Sequence, residues 1–452
     1  MLTKRRSLLV LFTILGVSII LLSQCTGSIQ EKSTVADEGA VAKSAKGAAE
    51  GDKGKTANAL RAVVSMKDAE FTILQKLSTQ YADTHPGISV KLENVASRDA
   101  FVQLKKQSQL GEAPDIMLLD NAWVNELAAL GYLLPVDEYF TTEQQAQVIP
   151  LLMNQMKWNG YIWGIPKDVD PYIMAWNKKT AAEAKLGTEP PATAAELIAW
   201  NKKLLKPDEG SYGVYTDLTE PNDLIALFIA LGGAWPDSKQ LTMKLNEAQS
   251  LKALESFFVP QEEGWNAKQF AKNFPPLSAQ LNPWDLLSKG KMAAMVTTVS
   301  AFKQQAKSDL SIAALPQNAP QTNDGGVWLK GRSFSISSRS ANPKAAIDWI
   351  KEMTTADAGN KLWAEAKVLP AQIIAYNLAP IRSDEHFNSY KWLIFDQGKV
   401  HPVDMEAGKK LSALQNEMSK LYKGEQDPKS FAEKASKLWT AAKKTESVSP
   451  SP

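Results

Sequence analysis

The sequence is poor in the residues that most often carry redox and metal chemistry. Its 452 residues include one cysteine, Cys25, so no disulfide can form within the chain, and an exported fold would rest on its core alone. Three histidines occur, His85, His386 and His401, scattered and far from any serine-nucleophile motif or metal-ligand spacing. No glycine loop of the phosphate-cradling kind is present, so neither a metal nor a cofactor is expected. An excess of one charge is missing too. The net charge of +2 falls to about −1 when Lys4, Arg5 and Arg6 are set aside with a leader, which leaves no basic field for nucleic acid. The N-terminal apolar run Leu8–Leu22, broken by Thr13, Gly16 and Ser18, is short for a stable membrane span. There is no internal repeat.

What is present begins with that N-terminus: a basic Met1–Arg6, the apolar run, then Leu22-Ser23-Gln24-Cys25. This resembles a bacterial lipoprotein signal, with residues 1–24 removed and Cys25 carrying the lipid, although Gln24 stands where Gly, Ala or Ser is usual. An uncleaved anchor with an incidental thiol is the alternative. Residues 25–58 are Ala, Gly, Lys, Ser, Glu and Asp with almost nothing to bury, and are expected to be a flexible tether. The remaining length suits two sizeable lobes and a short frayed tail at 445–452.

From Leu60 the pattern alternates strand and helix. A strand at 60–65 precedes a helix from Phe71 to Thr84, with Phe71, Leu74, Leu77 and Tyr81 on one side, and Ile88–Leu92 is the next strand. Ala113–Asp120 reads as a buried strand and Asn121–Leu130 as its helix, closed by Gly131. Such alternation predicts an α/β body with largely parallel sheets, whose ligands collect at the carboxyl ends of the strands. Asp68 and Glu70 fall at the end of the first strand, and Asp120, Asn121 and Trp123 at the end of the third. For Asp120 helix capping is the competing reading, and for Trp123 packing under the helix. Further on, Thr193 and Glu196 have capping-box spacing, and Glu220-Pro221-Asn222-Asp223 stands at the end of a strand at 211–216, ahead of an apolar helix from Leu224 to Leu231.

The organising stretch is Trp158–Asn177, WNGYIWGIPKDVDPYIMAWN. It reads as a strand at 161–165, Pro166, and a second strand at 172–176, with Asp168 and Asp170 in a segment too polar for a core. It is expected to be a hinge whose carboxylates face a ligand cleft; an ordinary hairpin with solvated aspartates is the plainer alternative.

Several motifs in order carry a resemblance: Glu112–Asp120 (EAPDIMLLD), 127–133 (LAALGYL), Gly164-Ile165-Pro166 with Trp176-Asn177-Lys178, Leu231-Gly232-Gly233, 289–295 (KGKMAAM), Leu315-Pro316 with Gly325-Gly326, 342–346 (NPKAA) and Leu369-Pro370-Ala371. Together they resemble the extracellular solute-binding proteins of bacterial ABC importers, in the sugar-binding class. The resemblance implies a two-lobed, type II periplasmic-binding-protein-like α/β fold without enzymatic activity. Each lobe would be discontinuous, with 59–166 and 287–337 in the N-terminal lobe and 167–286 and 338–444 in the C-terminal lobe. It implies a monomer, lipid-anchored on the outer face of the cytoplasmic membrane, that delivers a saccharide to a permease. Carried over by motif, the ligand contacts are Asp68, Asp120, Trp123, Asp170, Glu220 and Asn222. Asn222 stands where maltose-binding protein has a stacking residue, and Val299 and Phe302 occupy a region that often holds a tryptophan. Both departures speak against a maltodextrin.

Sugar recognition needs carboxylates and amides for paired hydroxyls and flat aromatics for the C–H face. Trp163, Tyr172, Trp235, Trp284 and Trp328 are the further aromatic candidates, each with core burial as its alternative. A cationic solute such as a polyamine suits the same acids and aromatics. A glycosidase built on Asp168 with Asp170, or Asp170 with Glu220, is the enzymatic rival.

Overall fold

The computed structural model describes residues 58–231, 245–259, 266–274, 281–305, 309–316 and 326–440. The expected signal segment 1–24, Cys25, most of the tether 25–58, Trp235 and the tail 445–452 lie outside the described residues. Among the described residues no helix is long and apolar enough to cross a membrane.

The chain opens as its periodicity predicts, with β1 (Asn58–Val64), α1 (Asp68–Thr84), β2 (Ile88–Asn94), α2 (Ser97–Leu110), β3 (Ile116–Asp120) and α3 (Asn121–Ala129). Helix α1 starts three residues earlier than expected, its first turn holding Asp68 and Glu70, and buries Ile73, Leu74, Leu77 and Tyr81. Acids in a first turn are favoured by the backbone N–H groups left free there. Two left-handed glycines, Gly111 and Gly131, follow α2 and α3, where a side chain would be strained. Short strands β4 (Leu133–Leu134) and β5 (Ile165–Pro166) complete this part.

The hinge stretch differs from its predicted form. Its second strand, β6 (Asp168–Asn177), begins four residues early and runs ten residues, taking both aspartates into the sheet. Then follow α4 (Ala194–Leu204), with the Thr193–Glu196 capping box present, β7 (Val214–Tyr215), α5 (Pro221–Ala230), β8 (Ala294–Thr298), α6 (Val299–Gln305), β9 (Leu310–Ala313), β10 (Val327–Lys330) and β11 (Arg332–Ser337). The last part holds α7 (Pro343–Met353), α8 (Ala356–Ala366), β12 (Leu369–Pro370), β13 (Gly398–Lys399), α9 (Ala407–Lys423) and α10 (Pro428–Thr440).

Two large sheets result. The first has the order β2-β1-β3-β11-β4, with β5 also on β11; the second has the order β7-β8-β6-β10-β13, with β9 and β12 also on β6. Strands β1, β2 and β3 are mutually parallel, whereas β11 runs antiparallel to β3, β4 and β5. In the second sheet every partner of β6 is antiparallel to it. The sheets are therefore more mixed than local alternation suggested, because β11 reaches the first sheet from the second, running against its neighbours.

That routing corrects the expected lobe boundaries. Strands β8 and β9, expected in the first lobe, pair with β6 in the second sheet. Helices α7 and α8, expected in the second lobe, pack on α1: Trp349 donates its indole N–H to Ser78 Oγ at 3.0 Å and meets Phe334 of β11 at 5.4 Å between centroids. The chain crosses from first sheet to second at Lys167, returns at Gly331, and reaches the second sheet again before β13. Strand β6 serves both hydrophobic cores. Val169, Ile173 and Ala175 face the larger one, and Tyr172, Met174 and Trp176 face the other, as the two-residue period of a strand requires.

Candidate functional site

The crossings at Lys167 and Gly331 run side by side. The Lys167 N–H donates to the Arg332 carbonyl at 2.8 Å, and the Asn121 N–H to the Gly331 carbonyl at 3.0 Å. A Cβ on Gly331 would lie 2.5 Å from the Asp168 carbonyl oxygen, so the close approach of the two strands demands glycine here.

Under the crossing lies a buried quartet of charges. Lys167 pairs with Glu70 at 2.6 Å and Asp168 at 3.0 Å, and Arg332 pairs with Glu70 at 2.7 Å and Asp168 at 2.6 Å. The Arg332 backbone N–H also donates to Asp168 Oδ1 at 2.9 Å, and its guanidinium to the Ser65 carbonyl. Asp168 is 4 % exposed. Burial alone would raise its carboxyl, but Arg332 and Lys167 overcome that and hold it down at about 2. The expectation that Asp168 faces a cleft is thus corrected: two cations, one of them 164 residues away, make the polar segment a buried one.

Three candidate acids instead organise helix starts. Asp120 caps α3, accepting from the Ala122 N–H at 2.9 Å. Glu220 caps α5 through Oε1, which accepts from the Asn222 N–H at 3.2 Å and from its Nδ2 at 3.1 Å. Asp170 accepts from both the backbone N–H and the hydroxyl of Ser300, in the first turn of α6. Capping and ligand binding are compatible here, because Asp120 and Glu220 each keep one carboxylate oxygen without a protein partner among the described residues.

These residues form one electrostatic group drawn from both sheets. Burial pushes the Asp120 carboxyl up to about 6, with the charge of Glu220 adding to the effect. Beside them, Asp223 accepts from the Tyr172 hydroxyl at 2.7 Å, and burial followed by repulsion from Glu220 lifts its carboxyl to about 8. Lys330, at the end of β10, feels Asp170, Glu220, Asp223 and Asp120 together; burial opposes its charge, but the four acids win and its pKa is raised. Its ammonium lies 5.6 Å from the Tyr172 ring centroid.

The aromatic candidates divide. Trp328 is 2 % exposed in the second core, and its indole N–H donates to Asn222 Oδ1 at 3.0 Å. It therefore supports Asn222 from below and offers no face to a ligand, which corrects the expectation of an open aromatic. Trp123 is half-buried, borders both cores and sits 5.2 Å from Phe101. Trp284 is half-buried against Phe302 at 6.3 Å. Asp68 is exposed in the first turn of α1 and has no side-chain partner among the described residues, so nothing ties it to the group.

Residue-by-residue reading missed Lys330, Asp223 and Arg332. The available signal was Lys330-Gly331-Arg332, two cations flanking a glycine directly after an apolar strand. Among the described residues no group of His, Cys, Asp and Glu could hold a metal ion.

The state of Asp223 gives a pH dependence. The carboxyl ionises near 3.8 in the unfolded chain but holds its proton to about 8 when folded. Between those values the folded state binds more protons, so stability falls as pH rises, by at most about 1.4 kcal/mol per pH unit. Asp223→Asn keeps an acceptor for Tyr172 and removes the titration. Thermal melts at pH 4.5 and 8.5 should show the variant gaining on the parent at the higher pH; parallel behaviour would mean Asp223 ionises freely in the fold.

The family model described as bacterial extracellular solute-binding protein matches residues 76–388. A maltotriose-binding protein of Pyrococcus abyssi (strain GE5 / Orsay) is 25 % identical over 194 residues, a stretch that spans 43 % of this chain and 41 % of that protein. Among solved structures, the GacH receptor of Streptomyces glaucescens, known unliganded and with acarbose, matches with a TM-score of 0.70 at 21 % identity, over 84 % of this chain and 98 % of its own. The maltose/maltodextrin-binding domain MalE of Bdellovibrio bacteriovorus, bound to maltotriose, gives a TM-score of 0.68 at 20 % identity, over 84 % and 98 %. At these identities the structural likenesses establish the two-lobed α/β fold.

Proposed function

This chain belongs to the bacterial extracellular solute-binding protein family, and on that premise we propose that it captures a saccharide between its two lobes and delivers it to an ABC permease. The observation that carries this reading is the electrostatic coupling of Asp120, at the end of β3 in the first sheet, with Glu220, which caps α5 where it packs on the second sheet and is hydrogen-bonded to Asn222. Carboxylate oxygens left open on both sides suit the hydroxyls of a sugar, and Trp123 borders the same place. Contacts that exist when both lobes touch ligand favour the closed arrangement, which the permease then senses. The relatives named above bind maltotriose and acarbose, which supports a saccharide without naming this one.

An extracellular or periplasmic location goes with the family. The lipid anchor at Cys25 and the tether behind it belong to the proposal, supported by the basic n-region and short apolar run, and a monomeric state is part of the same reading. The protein performs no chemistry in this reading. Of the acids that a glycosidase would use here, Asp168 is held at about 2 between two cations and cannot serve as a general acid. Asp170 is engaged by Ser300 through both oxygens.

A thermal-shift series against mono- and oligosaccharides, with polyamines and amino acids as controls, tests the reading. A saccharide at a hundred times its Kd adds about 2.7 kcal/mol to the stability of the native state. The rise in Tm should vanish in Trp123→Ala and shrink strongly in Glu220→Gln, a change that keeps an acceptor for the helix cap. A response to polyamines alone, or turnover of a saccharide, would sink the proposal.

A further inference from the structure

Lys330 closes β10 opposite Asp170 in the register, one residue before the Gly331 crossing. Four carboxyl groups lie near enough to act on its ammonium, Asp223 in its protonated form below about pH 8, yet among the described residues none comes within hydrogen-bonding or ion-pair distance of it. The acids are held back by their own neighbours: Asp170 by Ser300, Glu220 by Asn222, Asp223 by Tyr172 and Asp120 by the Ala122 N–H. The lysine lies over the Tyr172 ring, and of the acids around it Glu220 and Asp120 each keep one carboxylate oxygen open.

A gap between a fixed ammonium and fixed carboxylates selects for the group that fills it. A hydroxyl both accepts and donates, so it can accept from the lysine and donate to an acid at once. A ligand ammonium would face Lys330 with like charge, and a ligand carboxylate would face Glu220 and Asp120. Resting on the saccharide reading above, we propose that Lys330 is the specificity-determining residue of the cleft. Its ammonium donates to a ligand hydroxyl that donates in turn to the open oxygen of Glu220 or Asp120, so the group bound at this point is uncharged. Without that lysine Lys67 and Arg332 remain, among the described residues, to balance these acids, and the place becomes more favourable to a cation. Lys330 thus tilts the choice between a neutral saccharide and a polyamine or amino sugar.

Titration calorimetry of the parent, Lys330→Met and Lys330→Arg tests this with four probe classes: neutral trisaccharides (maltotriose and mannotriose), a galacturonate trimer, a glucosamine trimer, and spermidine. The parent should bind a neutral trisaccharide and neither the galacturonate trimer nor the cations. Lys330→Met should weaken neutral binding tenfold or more and shift preference toward the glucosamine trimer or spermidine, while Lys330→Arg retains most of the neutral affinity. A matched melting curve excludes misfolding, and Lys330→Gln carries the same comparison if the methionine variant does not fold. Neutral binding within twofold of the parent in Lys330→Met overturns the role of Lys330 and leaves the saccharide reading standing. A parent that takes spermidine and no neutral sugar overturns the saccharide reading and this proposal together.

Discussion

Replacing Arg332 with methionine should destabilise the protein by about 3–5 kcal/mol, the usual consequence of stripping one partner from a buried ion pair. Glu70 and Asp168 are both nearly inaccessible, and each would be left to share Lys167 alone. Arg332 also donates to the Ser65 carbonyl, which would lose its partner in the same step. The pH profile should change with it. In the parent, Asp168 has a depressed pKa, so its contribution is present above about 3.8 and is lost as pH falls toward 2. Once Arg332 is gone, burial prevails, the carboxyl rises, and the loss begins at a higher pH. Urea titrations at pH 7 and pH 4 measure both effects. Adding Glu70→Gln to the variant should recover part of the cost by restoring the charge balance. A cost below about 1 kcal/mol would mean that the quartet is wet and worth no more than a surface pair.

The second large effect is expected at Trp328. Truncation to alanine empties a fully packed site in the second core and should cost about 3–5 kcal/mol. Phenylalanine separates packing from support. It fills much of the space but cannot donate to Asn222 Oδ1, so the Trp328–Asn222–Glu220 chain of hydrogen bonds is cut at its base. Trp328→Phe should therefore melt near the parent yet bind the neutral saccharide about tenfold more weakly, the equivalent of about 1.4 kcal/mol. Unchanged affinity in the phenylalanine variant would show that Asn222 needs no help from beneath.

Local features were legible in the sequence. The apolar spacing of α1, the Thr193–Glu196 box, the turn glycines and the crossing next to Pro166 all depend on neighbours within a few residues. Asp120 and Glu220 were visible as acids ahead of helices, and both structural and binding readings proved compatible because a carboxylate has two oxygens. What escaped depends on distant partners. Asp168 reads as solvated until Arg332 is brought beside it. Trp328 reads as open until the second core closes over it. The lobe membership of 287–313 and of α7 and α8 is decided by pairing with β6 and packing on α1, and no local pattern announces either. Lys330-Gly331-Arg332 marks the place of the lysine, but its meaning comes from four acids that converge from separate stretches of chain.

The place of β11 bears on how such a chain reaches its destination. It lies between β3 and β4, so the first sheet stays in two pieces, however complete its early helices, until residue 337 has joined it. A polypeptide threaded outward from its N-terminus presents β3 and β4 long before the strand that unites them. The loop-closure entropy of that long separation keeps the early segment from settling by itself. The topology thus withholds the finished first sheet until the chain is available through residue 337, so its N-terminal third cannot settle ahead of the rest.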